Sequence, residues 1–98
     1  MENRRTQTLQ RELLITNELG LHARCAAKIA QAAQKASGRV LLSHNGTEVD
    51  ATSTLDILTL ACTKGSSILL TVSDPADAPV MEEISSLVAE GFGETEAP

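Results

Sequence analysis

Asn45-Gly46, set between Arg39–His44 and Thr47–Asp50, commits the middle of the chain to a β-hairpin. A two-residue connection between antiparallel strands needs positive φ at both positions, and Asn-Gly supplies them at low steric cost. Val40, Leu42 and Val49 are the expected inward positions. Upstream, Leu9–Thr16 has period two with two defects: Leu9, Arg11, Leu13 and Ile15 share one face, Gln10, Glu12, Leu14 and Thr16 the other, so the segment reads as a strand. Beyond Lys64-Gly65, Ile68, Leu70 and Val72 mark one face of a further strand.

Helices fall between and after these strands. Ala26, Ile29, Ala30 and Ala33 follow the i, i+3, i+4, i+7 spacing of a buried helix face, with Lys28, Gln31 and Lys35 opposite. This predicts a helix starting near His22 and ending before Gly38. Ser53-Thr54-Leu55-Asp56 reads as a capping box opening a short helix through about Leu60. Asp74-Pro75-Ala76-Asp77-Ala78-Pro79 offers two starts for a last helix, with Val80, Ile84, Leu87 and Val88 as its buried stripe and Gly91 as its stop. The order is βαββαβα, an α+β chain that buries itself by laying its helices on one face of a four-stranded sheet. Residues 1–8 and 92–98 are expected to fray, leaving one domain over 9–91.

Composition removes several function classes. At 98 residues the chain has room for one domain, and Phe92 is its only aromatic residue, so the core is aliphatic and a deep cofactor pocket is not expected. Eight basic against thirteen acidic residues give a net charge of −5, and with no Tyr or Trp to stack on bases a nucleic-acid role is disfavoured. No apolar run suits a bilayer and the opening residues lack a signal-peptide core, which reads as cytoplasmic with no membrane insertion. Cys25 and Cys62 form no CxxC pair and are expected to be reduced. With His22, His44, Cys25 and Cys62 as the only His and Cys and no close ligand spacing, no metal site is expected.

The stretch that carries chemistry is Gly20-Leu21-His22-Ala23-Arg24-Cys25-Ala26-Ala27, which sets a histidine at the start of the first helix. A helix start leaves amides without intrahelical partners and a partial positive charge, so the backbone N–H groups of Ala23, Arg24 and Cys25 suit an anion held next to the imidazole. Arg24 adds a fixed cation, and the arrangement suits transient phosphorylation of His22. For His22 and Arg24 the plain alternatives are a capping histidine and a solvated charge.

These residues resemble the HPr family, the histidine-containing phosphocarriers of the bacterial phosphoenolpyruvate-dependent phosphotransferase system. The family motif G-L-H-x-R-P-A is present with Cys25 in place of proline. The Asn45-Gly46 hairpin, the Ala51-Thr52-Ser53 entry to the short helix, the Lys64-Gly65 turn and the C-terminal helix follow in order over roughly residues 10–91. The resemblance implies an open-faced β-sandwich with an antiparallel sheet. It also implies a carrier rather than a free-standing enzyme, with no cofactor. Enzyme I would donate the phosphoryl group to Nδ1 of His22, Arg24 would help hold it, and an enzyme IIA domain would receive it.

Partner docking would centre on Ala23, Lys28, Thr54, Leu55 and Leu58, with Leu55 as apolar anchor. Ser53 aligns with the serine that a dedicated kinase/phosphorylase modifies in many relatives; its plain role is an N-cap. The alternative function is a regulatory module of the same fold, controlled by phosphorylation of His22 or Ser53, and a thiol-redox adaptor on Cys25 ranks third.

Three departures bear on the details. Cys25 restores a backbone N–H, and its position next to Arg24 at a helix start is one that lowers a thiol pKa, although the plainer reading, a small tolerated residue, is preferred. Thr52 and Asp56 stand where the family more often has Lys and Gly. In the family's strand order, Leu14, Leu41 and Leu69 point to the open face and are expected to form one apolar row.

Overall fold

A computed structural model of the chain describes residues 8–94. The strands are β1 (Leu9–Leu14), β2 (Val40–His44), β3 (Thr47–Asp50) and β4 (Ser67–Val72); the α-helices are α1 (Ala23–Ala33), α2 (Thr54–Leu58) and α3 (Ala78–Ala89). All pairings are antiparallel and the order across the sheet is β1-β4-β2-β3, so the last strand inserts between the first and second. Asn45 and Gly46 have φ of 50° and 82°, which closes the β2–β3 hairpin with His44 opposite Thr47.

The helix-facing side of the sheet carries Leu13, Ile68, Leu70, Val72, Val40 and Leu42, all buried, against Ala26, Ile29, Ala30 and Ala33 of α1 and Val80, Ile84 and Val88 of α3. Small alanines on α1 let that helix sit close to its neighbours, and aliphatic burial of this kind contributes about 25 cal/mol per Å² of apolar surface. Arg11, a defect in the alternation, lies on this face because β1 is an edge strand. Its guanidinium reaches past the sheet to Glu82 of α3, at 3.0 and 2.8 Å, and to the Ser85 hydroxyl at 3.2 Å.

Several expectations change in detail. Helix α1 stops at Ala33, well before Gly38. Gly38 serves close packing instead, since a Cβ there would lie 2.6 Å from the Ser73 hydroxyl. Both candidate starts of the last helix are used: Asp74 caps a 3₁₀ turn over Pro75–Asp77, and α3 continues from Ala78. The capping box at Ser53 is half formed. Its hydroxyl accepts from the Asp56 amide at 3.1 Å, but the Ser53 amide goes to the Asp50 carbonyl rather than to the Asp56 side chain.

The open-face leucines do not make a cross-strand row. Leu14 lies opposite Ser67, Leu69 between Glu12 and Ser43, and Leu41 opposite Thr71 and Asp50, so the three are staggered along a diagonal. Polar partners bond across the intervening positions, Gln10 to Thr71 at 3.3 Å and Ser67 to Glu12 at 2.8 Å.

The end of the domain departs most from expectation. Gly91–Gly93 form a 3₁₀ turn in which Gly91, Phe92 and Gly93 all have positive φ, and Phe92 is 3% exposed, within the core. One aromatic side chain supplies enough buried area to hold this short hook. Residues 1–7 and 95–98, the rest of the two expected frayed ends, lie outside the described residues.

Candidate functional site

The backbone before α1 is shaped by Gly20. Its φ is +70°, and a Cβ there would lie 2.5 Å from the Cys62 carbonyl oxygen, the oxygen that accepts from the Leu21 amide at 2.9 Å. Only glycine combines that φ with that approach. Pinned this way, the chain delivers His22 to the N-cap of α1 in an extended conformation (φ −83°, ψ −179°), with its carbonyl accepting the first helical bond from Ala26 at 2.9 Å.

The imidazole itself is the cap. Nδ1 accepts from the backbone N–H of Arg24 at 3.3 Å, in the role usually played by a serine or aspartate oxygen. Nδ1 therefore presents a lone pair at the helix start. On the other side of the ring, Nε2 bonds to a carboxylate oxygen of Glu94, and the His22 and Glu94 side chains are 27% and 19% exposed.

Glu94 reaches the histidine because the Gly91–Gly93 hook turns the chain back across α1, where Lys28 Nζ donates to the Phe92 carbonyl at 3.0 Å. The other Glu94 oxygen accepts from the Asn17 amide at 3.0 Å, and that same amide donates to the Gly20 carbonyl at 2.8 Å. These bonds to His22 first and Asn17 second hold the Glu94 carboxyl below its ordinary pKa. Asn17 is 2% exposed, and its Oδ1 has no hydrogen-bond partner among the described residues.

Cys25 completes the cluster. Its side chain is fully buried, with Sγ 3.2 Å from His22 Nε2 and 3.6 Å from the Glu94 carboxylate. Burial first, then the negative charge of Glu94, pushes the thiol up to about 11, so the helix start and Arg24 do not activate it. His22, Cys25 and Glu94 offer donor atoms within 4.8 Å of one another, a proximity that the sequence reading did not foresee. The sulfur, however, stays protonated near neutral pH, and both carboxylate oxygens already accept hydrogen bonds. The cluster is complete as a hydrogen-bonded unit.

The remaining candidates are spread along α1 and α2, which pack against each other. Ala23 and Arg24 are exposed, and among the described residues no carboxylate pairs with the Arg24 guanidinium. Leu55 is 75% exposed, Thr54, Leu58 and Lys28 are half-buried, and Ser53 is half-buried with its hydroxyl engaged as the N-cap of α2. Leu19, 74% exposed and three residues before His22, was not singled out from sequence. Cys62 is buried, and His44 sits at the hairpin with Nδ1 3.0 Å from the Ser67 carbonyl oxygen.

The family model described as the PTS HPr component phosphorylation site matches residues 9–90, which spans the fold and the His22 motif. The chain belongs to the HPr family. Phosphocarrier protein HPr of Cupriavidus necator is 41% identical over 88 residues, covering 90% of this chain and 99% of the relative. Phosphocarrier protein NPr of Escherichia coli K12 is 34% identical, covering 89% of this chain and 98% of the relative. The crystal structure of HPr-C-His from Thermoanaerobacter tengcongensis superposes with a TM-score of 0.84 at 27% identity, over 90% of this chain and 99% of that one. The open-faced sandwich is thus the HPr fold, and these relatives are phosphocarriers rather than enzymes. Among the described residues no helix is long and apolar enough to cross a membrane.

Proposed function

We propose that this chain carries a phosphoryl group on Nδ1 of His22, taking it from an enzyme I and giving it to an enzyme IIA domain. One observation carries the reading: the Nδ1 lone pair stands at the N-terminus of α1, held there by the Arg24 amide, on a partly exposed ring. In the forward step Nδ1 bonds to phosphorus as the bond to the donor's histidine breaks. The Arg24 amide then donates to a phosphoryl oxygen in place of Nδ1, joined by the first-turn amides of Ala23 and Cys25. The Arg24 guanidinium supplies the compensating charge from the solvent side. Transfer onward is the same step in reverse, with the acceptor's histidine attacking phosphorus.

Docking by larger partners calls for an apolar, accessible rim near the ring. Among the described residues, Leu19 and Leu55 are two of the three strongly exposed large apolar residues, and Leu55 stands on α2, which packs beside α1. Ala23, Lys28, Thr54 and Leu58 extend this docking face. The family membership and the phosphocarrier names of the relatives support the same reading.

The test is incubation with phosphoenolpyruvate and the enzyme I of Cupriavidus necator, followed by mass measurement before and after mild acid. One acid-labile phosphoryl group, absent in His22→Ala, is the expected result. An unmodified chain in the presence of an enzyme I that charges its own HPr overturns the reading.

A further inference from the structure

We infer that Glu94 is a positioning residue for His22: it fixes the ring tautomer so that Nδ1, not Nε2, is the nucleophile, and it keeps the proton on Nε2 throughout phosphoryl transfer. The inference deepens the phosphocarrier reading and rests on it for its functional meaning. Its structural content stands alone.

The two ring nitrogens face different partners. Nδ1 meets a backbone N–H, which is a donor only, so Nδ1 is the acceptor there and carries no proton. Nε2 meets a carboxylate whose pKa is lowered, which is an acceptor only, so Nε2 carries the proton of the neutral ring. The two opposed bonds select one tautomer together, because the other would set the Nε2 lone pair against the Glu94 carboxylate and the Nδ1–H against the Arg24 amide. Asn17 holds the second Glu94 oxygen, and the Phe92 hook carries Glu94 to the ring. Cys25 lies below Nε2 as a neutral thiol that donates to the same carboxylate, so it does not compete for the Nε2 proton.

The proton matters in both directions. When Nδ1 forms its bond to phosphorus, the ring gains a positive charge while retaining the Nε2 proton, and the adjacent carboxylate stabilises that charge. When the N–P bond breaks, the electron pair returns to Nδ1 and the ring departs as neutral imidazole, because the proton is still on Nε2. A ring without that proton would have to leave as an anion. Glu94 thus makes the phosphohistidine a better donor without touching the phosphoryl group.

The experiment uses the full chain labelled with 15N-histidine, and reads the His22 ring by long-range 1H–15N correlation, with the signals assigned by comparison with His22→Ala. The intact chain is expected to show the Nε2-protonated tautomer. Glu94→Ala is expected to show a second, Nδ1-protonated population, and Glu94→Gln, whose carbonyl oxygen accepts the same bond, to restore the first. An unchanged tautomer in Glu94→Ala, with far-UV circular dichroism matching the intact chain, overturns the inference.

A second arm uses potassium phosphoramidate, which phosphorylates histidine with loss of ammonia and needs no enzyme I. At His22, read against the remaining His44 signal in His22→Ala, the intact chain is expected to carry phosphate on Nδ1 alone, and Glu94→Ala on both nitrogens, distinguished by 31P and 15N shifts. Equal Nδ1 selectivity in the two proteins counts against the inference. Neither arm depends on enzyme I, so failure of the carrier reading and failure of this one give different results.

Discussion

The Asn17 side-chain amide donates to the Glu94 carboxylate at 3.0 Å, joining the loop before the motif histidine to the last described residue of the domain. That amide also holds the Gly20 carbonyl at 2.8 Å, and the side chain is almost fully buried. Replacing Asn17 with alanine removes both bonds, one of them to a carboxylate, which costs about 1–3 kcal/mol, while the Gly20 carbonyl keeps its bond from the His22 amide. The expected loss is a lower urea midpoint in far-UV circular dichroism, the suitable probe for a chain with no Trp or Tyr.

Gly20→Ala is expected to cost more than about 1 kcal/mol, since it adds the strain of a positive φ to a steric clash. The clash is with backbone, the Cys62 carbonyl at 2.5 Å, and cannot be relieved by a side-chain rotation. Gly46 is the matched comparison: its φ is +82°, but a Cβ there would meet nothing within 4 Å. Gly46→Ala carries the strain alone, so in parallel denaturation curves it is expected to lose less than Gly20→Ala, and to leave His22 phosphorylation unaffected.

Cys25 is expected to be inert toward alkylation in the folded protein. Its thiol is buried and pushed from 9.0 to about 11, so at about pH 8 almost none is thiolate. Iodoacetamide added to the native chain should modify neither cysteine at the rate seen after unfolding, with mass spectrometry as the readout. The same shift sets an alkaline limit on stability. A folded pKa above the unfolded value means that the folded state holds the proton more tightly, so this contribution is complete below about pH 9 and is lost as pH rises toward about 11. Thermal melts across that range should fall less steeply for Cys25→Ala than for the parent.

Ser53→Ala removes the side-chain acceptor for the Asp56 amide at 3.1 Å and is expected to destabilise by about 1 kcal/mol. Ser53→Asp keeps a good cap and should retain most of that stability. Urea curves for the two variants separate the capping role from any regulatory one.

The sheet and helices were legible because their signals are local. The Asn45-Gly46 turn, the Ala26–Ala33 stripe and the Ser53 cap each act within a few residues, and each formed where the pattern put it. The position of His22 at the start of α1 was legible for the same reason. What escaped was the other half of its environment. Glu94 is 72 residues away in sequence and reaches Nε2 by a hook of positive φ angles that no periodicity announces.

At Cys25 burial decides between the two readings, in favour of the small tolerated residue. Arg24 and the helix start argue for a lowered thiol pKa, and they are outweighed by desolvation and a carboxylate whose arrival was invisible. A small clue did exist: Phe92, the one aromatic residue, stands between two glycines in a segment otherwise read as tail. An isolated large apolar side chain in a polar segment has to be buried somewhere. Glu82, Glu83 and Glu94 are likewise remote in sequence from Arg11, Lys35 and His22, and the fold pairs them.

The hooked end of the domain bears on how the protein is handled. Strand β1 runs toward the motif loop, so its first residue lies a strand's length, about 20 Å, from that loop. A label attached at Leu9 is therefore remote from His22. A label on the Gly91–Gly93 hook instead hangs from the segment that carries Glu94, and any load that tugs on it pulls at the imidazole.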